Sequence, residues 1–125
     1  MRVIRAADRI GGDSRPPKGR FHGHALQNLL HETTEESRIS FVRFEPGAHT
    51  HWHRHAGGQV IHIVEGNATV EAWGEATESL SAGDTVIAPP GEKHWHGATG
   101  DAPLTQIAVT SGEVTWLEDA GPHRA

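Results

Sequence analysis

Turn-forming residues interrupt this sequence at short intervals, and their spacing constrains the fold more than any other feature. Breaks containing glycine or proline lie at residues 45–47, 65–67, 81–84 and 89–91, with runs rich in apolar and β-branched residues between them. Strands with a turn signal every ~8–12 residues are typical of an all-β sandwich or barrel. A long 3.6-residue hydrophobic period is missing, which argues against a helical bundle or alternating strands and helices. The sequence therefore predicts an all-β fold.

The chain has the length of one domain. With 125 residues, a single barrel or sandwich can bury a real core, and we expect one domain over residues 1–125. The first 20 residues contain Gly11, Gly12, Pro16 and Pro17, which predict an irregular N-terminal arm. The β pattern begins after this arm, with strands predicted at 21–30, 39–44 and 59–64, among others.

Charge and composition exclude several classes of function. The chain has 11 Lys and Arg against 16 Asp and Glu, a formal net charge of −5, without the clustered positive charge that nucleic-acid binding requires. It contains no cysteine, which excludes disulfides, thiolate ligands and thiol nucleophiles. No apolar run reaches the ~20 residues of a membrane helix, and no secretory signal is visible at the start. We therefore expect a cytoplasmic protein that binds neither nucleic acid nor membranes.

A run of alternating histidines is the strongest chemical signal. Residues two apart in a strand point to the same face, so two imidazoles can lean together and hold one metal ion at ~2.0–2.1 Å. One strand cannot bring all of these rings to one ion, so a histidine pair needs further ligands from elsewhere. Solvated polar residues on an edge strand, or a pH-sensing cluster, are the alternatives. The alternating residues are His49, His51, His53 and His55.

Two further segments supply candidate ligands. Gly57 and Gly58 follow the histidine run and allow the chain to turn, so that Gln59 can return on the next strand. A proline–glycine turn precedes His94 and His96 and brings them to a common face. We interpret this second segment as the source of a third histidine ligand, with an exposed loop as the alternative.

Together these segments resemble the two sequence motifs of the cupin superfamily. The first motif, G-x5-H-x-H-x3-E-x6-G, is matched by Gly47, His53, His55, Gln59 in place of Glu, and Gly66. The second motif, G-x5-P-x-G-x2-H-x3-N, is matched by Gly83, Pro89, Gly91, His94, and Ala98 in place of Asn. The motifs occur in order, and the resemblance covers about residues 36–117.

The resemblance implies a jelly-roll barrel, the double-stranded β-helix of cupins, with its core at about 36–117 and a metal ion in its mouth. It implies a homodimer and one divalent metal per chain, held by His53, His55, Gln59 and His94. This three-histidine, one-glutamine set is similar to that of the bacterial cupin hydroxynitrile lyases, which are manganese proteins. Manganese is therefore the first choice, followed by iron, nickel, zinc or cobalt, because imidazole suits several of these metals.

Glutamine at position 59 has a physical consequence. Its amide oxygen is a neutral ligand, so a divalent ion bound by it and three imidazoles keeps its full double charge. A glutamate would cancel part of that charge. The uncancelled charge favours Lewis-acid chemistry and the binding of anions such as cyanide, an enolate or a carboxylate.

Strand parity predicts the wall of the pocket. Residues on one face of a strand alternate with residues on the other, and on the earlier of two strands the apolar positions identify the inner face. On the earlier strand this face carries Ser40, Val42 and Phe44. On the later strand, the resemblance implies that Gln106, Ala108 and Thr110 face the metal.

The acid/base group is the main departure from the related lyases, which carry a histidine at the position of Gln106. Glutamine cannot exchange a proton near neutral pH, whereas a general base needs a pKa near the working pH. Another histidine would have to serve, so the candidate catalytic residues are His96, His51 and Gln106, with His49 as a further substitute. Each histidine has an alternative role as an ordinary polar residue at the barrel rim.

These observations leave two classes of function open. The first is a metal-dependent enzyme acting on a small organic substrate: a lyase of the hydroxynitrile lyase type, or an oxygenase or isomerase. The second is a non-catalytic cupin that binds a metal or a ligand. The fold alone does not separate them, because one fold hosts many chemistries. The additional histidines near the expected metal favour the enzyme.

Overall fold

The structure is a computed structural model that describes residues 1, 3, 5, 20–32 and 37–121. These residues form strands and turns but no helix, and hence no helix that could cross a membrane. The cytoplasmic location stays a prediction. The strands are β1 Phe21–His22, β2 Ala25–Glu32, β3 Ser37–Phe44, β4 His49–Thr50, β5 His53–His55, β6 Gln59–Glu65, β7 Asn67–Ala72, β8 Glu78–Ser81, β9 Thr85–Ala88, β10 His94–Ala98, β11 Leu104–Ser111 and β12 Val114–Trp116.

Two antiparallel sheets curl around a common interior. One sheet has the order β2-β3-β11-β6-β9. In the other, β10 is central: it pairs with β7, which continues to β8, and with β4 and β5, which continue to β1 and β12. Strands that are distant in sequence are therefore neighbours in both sheets. This arrangement is an all-β jelly-roll barrel and confirms the predicted fold class.

The interior of the barrel changes from apolar to polar along its axis. Phe44 and Leu104 are paired across β3 and β11, and both are fully buried at the apolar end. At the opposite end, Arg38, Thr110 and Gln59 form one row across β3, β11 and β6. The hydrophobic core occupies the first end, and the second, which we call the polar end, is available for a site.

At the N-terminal end, one predicted element differs from the structure and another lies mostly outside it. The predicted strand at 21–30 is divided into β1 and β2 at Gly23, whose φ of +80° lies in the left-handed region. A side chain there would also come within 2.9 Å of the Ala48 backbone, so glycine is required at this break. The predicted arm at 1–20 lies almost entirely outside the described residues.

Candidate metal centre

The alternating histidines do not lie on one continuous strand. His49 belongs to β4, whereas His53 and His55 belong to β5, and the chain bends between them at residues 51–52. On β5 the alternation holds, since His53 and His55 are buried and Arg54 is exposed. The pair on β5 therefore points into the barrel.

Two other strands bring further side chains to this pair. Gln59 begins β6, and His94 and His96 lie on β10, directly beside β5, where His94 is paired with His53. Possible ligand atoms of His53, His94 and His96 all lie within 4.8 Å of one another. The ring of His55 is 4.9 Å from that of His53 and 5.8 Å from that of His94, measured between centroids. Four imidazoles thus meet at the polar end of the barrel.

Backbone carbonyls orient two of these rings. The Nδ1–H of His53 donates to the carbonyl of His51 at 2.8 Å, and that of His94 donates to the carbonyl of Glu92 at 3.1 Å. In a neutral imidazole the other nitrogen then carries a lone pair. Metal-bound histidines are commonly oriented by this kind of hydrogen bond.

The contact between Gln59 and His94 indicates whether these residues could hold a metal ion. The Nε2 amide group of Gln59 donates to Thr110 Oγ1 at 3.2 Å, which turns Oε1 toward His94 Nε2, 3.0 Å away. Since the His94 proton is used at Nδ1, two acceptors face each other. A cation bound by both would relieve this conflict, and adjacent ligands at ~2.1 Å from an octahedral ion are about 3 Å apart.

His55 supplies a second test. Both of its ring nitrogens are buried, and neither has a hydrogen-bond partner among the described residues. Buried polar atoms are rarely left without partners, so this ring has a nitrogen available for a ligand. The donor set of imidazoles and one amide oxygen suits a divalent transition metal.

His96 differs from His53 and His94 in its tautomer. The amide Nε2 of Gln106 donates to His96 Nδ1 at 3.3 Å, so the ring proton belongs on Nε2. That nitrogen is buried and has no acceptor within the described part of the chain. His96 therefore presents an N–H group beside the cluster, rather than a lone pair.

Contacts of the Lys93 side chain with Trp73 and Glu118 stabilise the chain at the start of β10. The Lys93 Nζ lies 3.5 Å from the ring centroid of Trp73 and 2.8 Å from Glu118 Oε1. These cation–π and ionic contacts hold the residue that immediately precedes His94.

Burial keeps the rings of the cluster neutral. Burial lowers the pKa of His53 to about 3, with His94 adding to the effect. Burial also lowers the pKa of His55 to about 4, with smaller contributions from His94 and Arg38. The pKa values of His94 and His96 are lowered for the same primary reason. Neutral imidazoles are the form that binds metal ions.

These shifts predict how the stability of the metal-free protein depends on pH. Because the folded-state pKa values of His53 and His55 lie below the usual 6.5, the unfolded chain binds protons more readily. The two rings contribute their full stability above pH 6.5. This contribution is lost as the pH falls from 6.5 toward the folded-state pKa values of about 3 and about 4. At about pH 5 we expect a loss of about 2 kcal/mol per ring. Urea unfolding at about pH 7.5 and 5 measures this, and equal midpoints would contradict it.

His51, a candidate catalytic residue from the sequence, lies apart from this cluster. Its Nε2 is 3.9 Å from Asp119 Oδ2, and His22 Nδ1 is 3.7 Å from the same oxygen. The ring of His49 stacks on that of His22 at 4.8 Å. Neither His51 nor His49 lines the cavity next to the cluster, whereas His96 and Gln106 do.

The cavity at the polar end has a volume of about 110 Å³. Of the residues predicted to face inward on β3 and β11, Phe44 lies in the hydrophobic core. The others line this cavity, namely Ser40, Val42, Gln106, Ala108 and Thr110. Sequence reasoning missed Arg20, Arg38 and Trp116, which also line it. Arg38 shares the parity of Ser40 and Val42, and this signal could have identified it.

Comparison with known proteins agrees with this architecture. Residues 40–110 match the sequence model of the cupin domain. The chain belongs to the cupin family. The (R)-mandelonitrile lyase of Granulicella tundricola is 41% identical over 124 residues, which cover 94% of this chain and 93% of that enzyme.

Two further similarities are more distant or structural. The gentisate 1,2-dioxygenase of a Ralstonia species is 26% identical over 101 residues, covering 81% of this chain but 28% of that enzyme. The crystal structure of a cupin-like protein from Thermotoga maritima superposes with a TM-score of 0.77 at 34% identity, covering 82% of this chain and 83% of that one. The relatives with named activities process small molecules.

Proposed function

We propose that this protein is a metal-dependent enzyme acting on a small organic substrate, and that it is a lyase of the hydroxynitrile lyase type. The observation that carries the proposal is the convergence of four buried histidines beside a cavity: possible ligand atoms of His53, His94 and His96 lie within 4.8 Å of one another, and the ring of His55 lies 4.9 Å from that of His53. The named activity of the 41% identical relative supports the lyase reaction. Metal analysis of the purified protein, followed by a substrate screen with the best-bound metal, tests it.

The ligands in this proposal are His53, His55, Gln59 and His94, holding one divalent ion. Manganese is the first choice, followed by iron, nickel, zinc or cobalt. Such an ion supplies Lewis-acid chemistry, polarising a substrate oxygen and stabilising a developing anion. The neutral amide of Gln59 leaves the charge of the ion uncancelled, which suits that task.

His96 is a hydrogen-bond donor in this proposal. Its Nε2–H lies on the opposite side of the ring from Nδ1, which accepts from the amide of Gln106, so it can donate a hydrogen bond to a substrate atom on which negative charge develops. Gln106 is a positioning residue, because it fixes the tautomer of His96 without exchanging a proton itself. Val42 and Phe44, both buried, limit the access of water to the inner side of His96, whose ring meets that of Phe44 edge to face at 6.0 Å between centroids.

Replacing His96 separates the donor role from a ligand role. In His96→Phe, which removes the N–H group, we expect the metal content of the wild type and a fall in kcat of about 10²–10³-fold, the usual contribution of a hydrogen-bond donor to a developing negative charge. Metal analysis and steady-state kinetics on the same preparation measure both. A variant that loses its metal would instead make His96 a ligand and contradict the donor role.

A cupin dioxygenase is the second candidate, favoured by the gentisate 1,2-dioxygenase match. Oxygen consumption by the iron-loaded protein in the same screen distinguishes it from a lyase, which needs no oxygen. A metal-loaded protein that turns over no substrate in either assay would favour the non-catalytic alternative.

We also propose that two copies associate through the outer face of the five-stranded sheet. Ile39, Val109, Val60 and Ile87 form one outward-facing row across β3, β11, β6 and β9. Val109, Val60 and Ile87 are 37%, 38% and 72% exposed. A continuous exposed apolar row is typical of an interface, and a homodimer would cover it twice.

A charge in this row should dissociate the dimer. We expect Val60→Lys to weaken self-association by at least about 10-fold, because a buried unpaired charge costs more than 1.4 kcal/mol. Light scattering over a concentration series measures it. Thr115→Lys, on an exposed position of β12, is the control and should leave the dimer intact. A monomeric wild-type protein would contradict the proposal.

A further inference from the structure

The cavity next to the histidine cluster is positively charged and contains no described carboxylate. Arg20 and Arg38 are its charged lining residues, and the other polar groups are histidines, hydroxyls, amides and an indole. A cavity that binds a cationic substrate would need negatively charged lining residues. The lining therefore favours an anionic substrate.

Arg38 is built into the wall of the cavity. It lies on the inner face of β3, in the same row as Thr110 and Gln59, so its Cα is two strands, or roughly 10 Å, from that of Gln59. Its Nη1 donates to the carbonyl of Gly112 at 3.2 Å, which orients the guanidinium. The pKa of His55 is lowered mainly by burial, and the charges of His94 and Arg38 lower it further.

Arg20 approaches the same cavity from the other sheet. Its guanidinium carbon lies 5.6 Å from the ring centroid of Trp116, and the Trp116 ring lies 4.6 Å from that of His53. The backbone carbonyl of Arg20 accepts from His51 N–H at 2.8 Å, which anchors the residue. The indole N–H of Trp116 has no acceptor in the described part of the chain. The guanidinium groups of Arg20 and Arg38 and the indole N–H of Trp116 are all hydrogen-bond donors.

We propose that the substrate carries a carboxylate held by Arg38 and Arg20, and a second oxygen group that reaches the metal centre. The ligand class is a small hydroxy- or oxo-carboxylate. Guanidinium groups match carboxylate oxygens in both charge and geometry. The second contact rests on the proposed metal function, whereas the carboxylate contact does not.

Titration calorimetry with L-lactate and its neutral analogue L-lactamide tests this inference, using metal-loaded and metal-free protein. We expect lactate to bind at least about 10-fold more tightly than lactamide, since a charge-assisted hydrogen bond contributes about 1.5–3 kcal/mol. Arg38→Gln and Arg20→Gln should each reduce this preference, in both forms of the protein. Arg54→Gln is the matched control, because Arg54 is exposed on the outer side of β5, and it should bind lactate as the wild type does.

The outcomes separate this inference from the proposed function. Equal affinities for lactate and lactamide, or a preference unchanged in both arginine variants, would overturn the carboxylate site. Because Arg20 is exposed, its variant tests the site even if Arg38→Gln does not fold. Mandelonitrile cleavage without any preference for lactate would leave the proposed function standing alone. An arginine-dependent preference in a protein that binds no metal would leave the carboxylate site standing alone.

Discussion

Replacing His53 or His94 with alanine should abolish binding of the proposed metal ion and remove the stabilisation that the ion provides. Each ring supplies a lone pair that is already oriented by a backbone carbonyl. Loss of a ligand should cost on the order of 100-fold or more in affinity, since even the groups that orient ligands contribute 10–100-fold. At a metal concentration of 100 times the wild-type Kd, the wild type gains about 2.7 kcal/mol of stability, whereas a variant with a 100-fold weaker Kd gains only about 0.4 kcal/mol. Elemental analysis and thermal unfolding with and without metal measure both effects.

His62→Ala is the control for these two substitutions. His62 also lies on a strand of the barrel, but it is exposed on the outer face of β6, where its ring contacts Thr85 Oγ1 at 2.9 Å. This variant should keep the metal content and the metal-induced rise in Tm of the wild type. Full metal content in both His53→Ala and His94→Ala would show that the ligand assignment is wrong.

Gln106→His should raise the cleavage of mandelonitrile, which we expect to be weak in the wild type. Gln106 is fully buried, faces the cavity and contacts His96, so a histidine there would bring a titratable nitrogen to the substrate. General acid–base catalysis contributes about 10²–10⁴-fold, and we expect a gain within that range. The assay compares wild-type and variant protein loaded with manganese.

Gln106→Asn controls for the change of side chain, since it keeps an amide and adds no base. It should show no gain. A Gln106→His protein that retains its metal without gaining activity would mean that the cavity is suited to another substrate, as the two arginines also suggest. Strong cleavage by the wild type would show that His96 is sufficient.

The residues of the inner wall were predictable because the side-chain period of a strand is two. Ser40, Val42 and Phe44 were expected inside and are 6%, 4% and 0% exposed. The inward position of Gln106, which is fully buried on β11, followed from the resemblance to cupins. Short strands and glycine turns were sufficient for the all-β class, because both are local properties of the sequence, whereas the jelly roll followed from the two cupin motifs.

Features that depend on distant pairing were not predictable. Trp116 reaches His53 because β12 pairs with β5, and nothing in the sequence near either residue indicates this register. The separation of His49 from His53 depends on a bend between β4 and β5, which the uninterrupted alternation of histidines does not reveal. The tautomer of His96 depends on Gln106, a neighbour only after the two sheets have closed.

The close contact between the Trp116 and His53 rings makes the site its own optical reporter. The chain contains four tryptophans and no tyrosine, so its ultraviolet fluorescence comes from indoles alone, and one of these lies 4.6 Å from a proposed ligand. An ion with unpaired electrons, such as Mn²⁺, quenches an indole at this range, whereas closed-shell Zn²⁺ lacks that quenching route. The emission of the unlabelled protein can therefore distinguish which kind of ion has arrived, before any substrate is known.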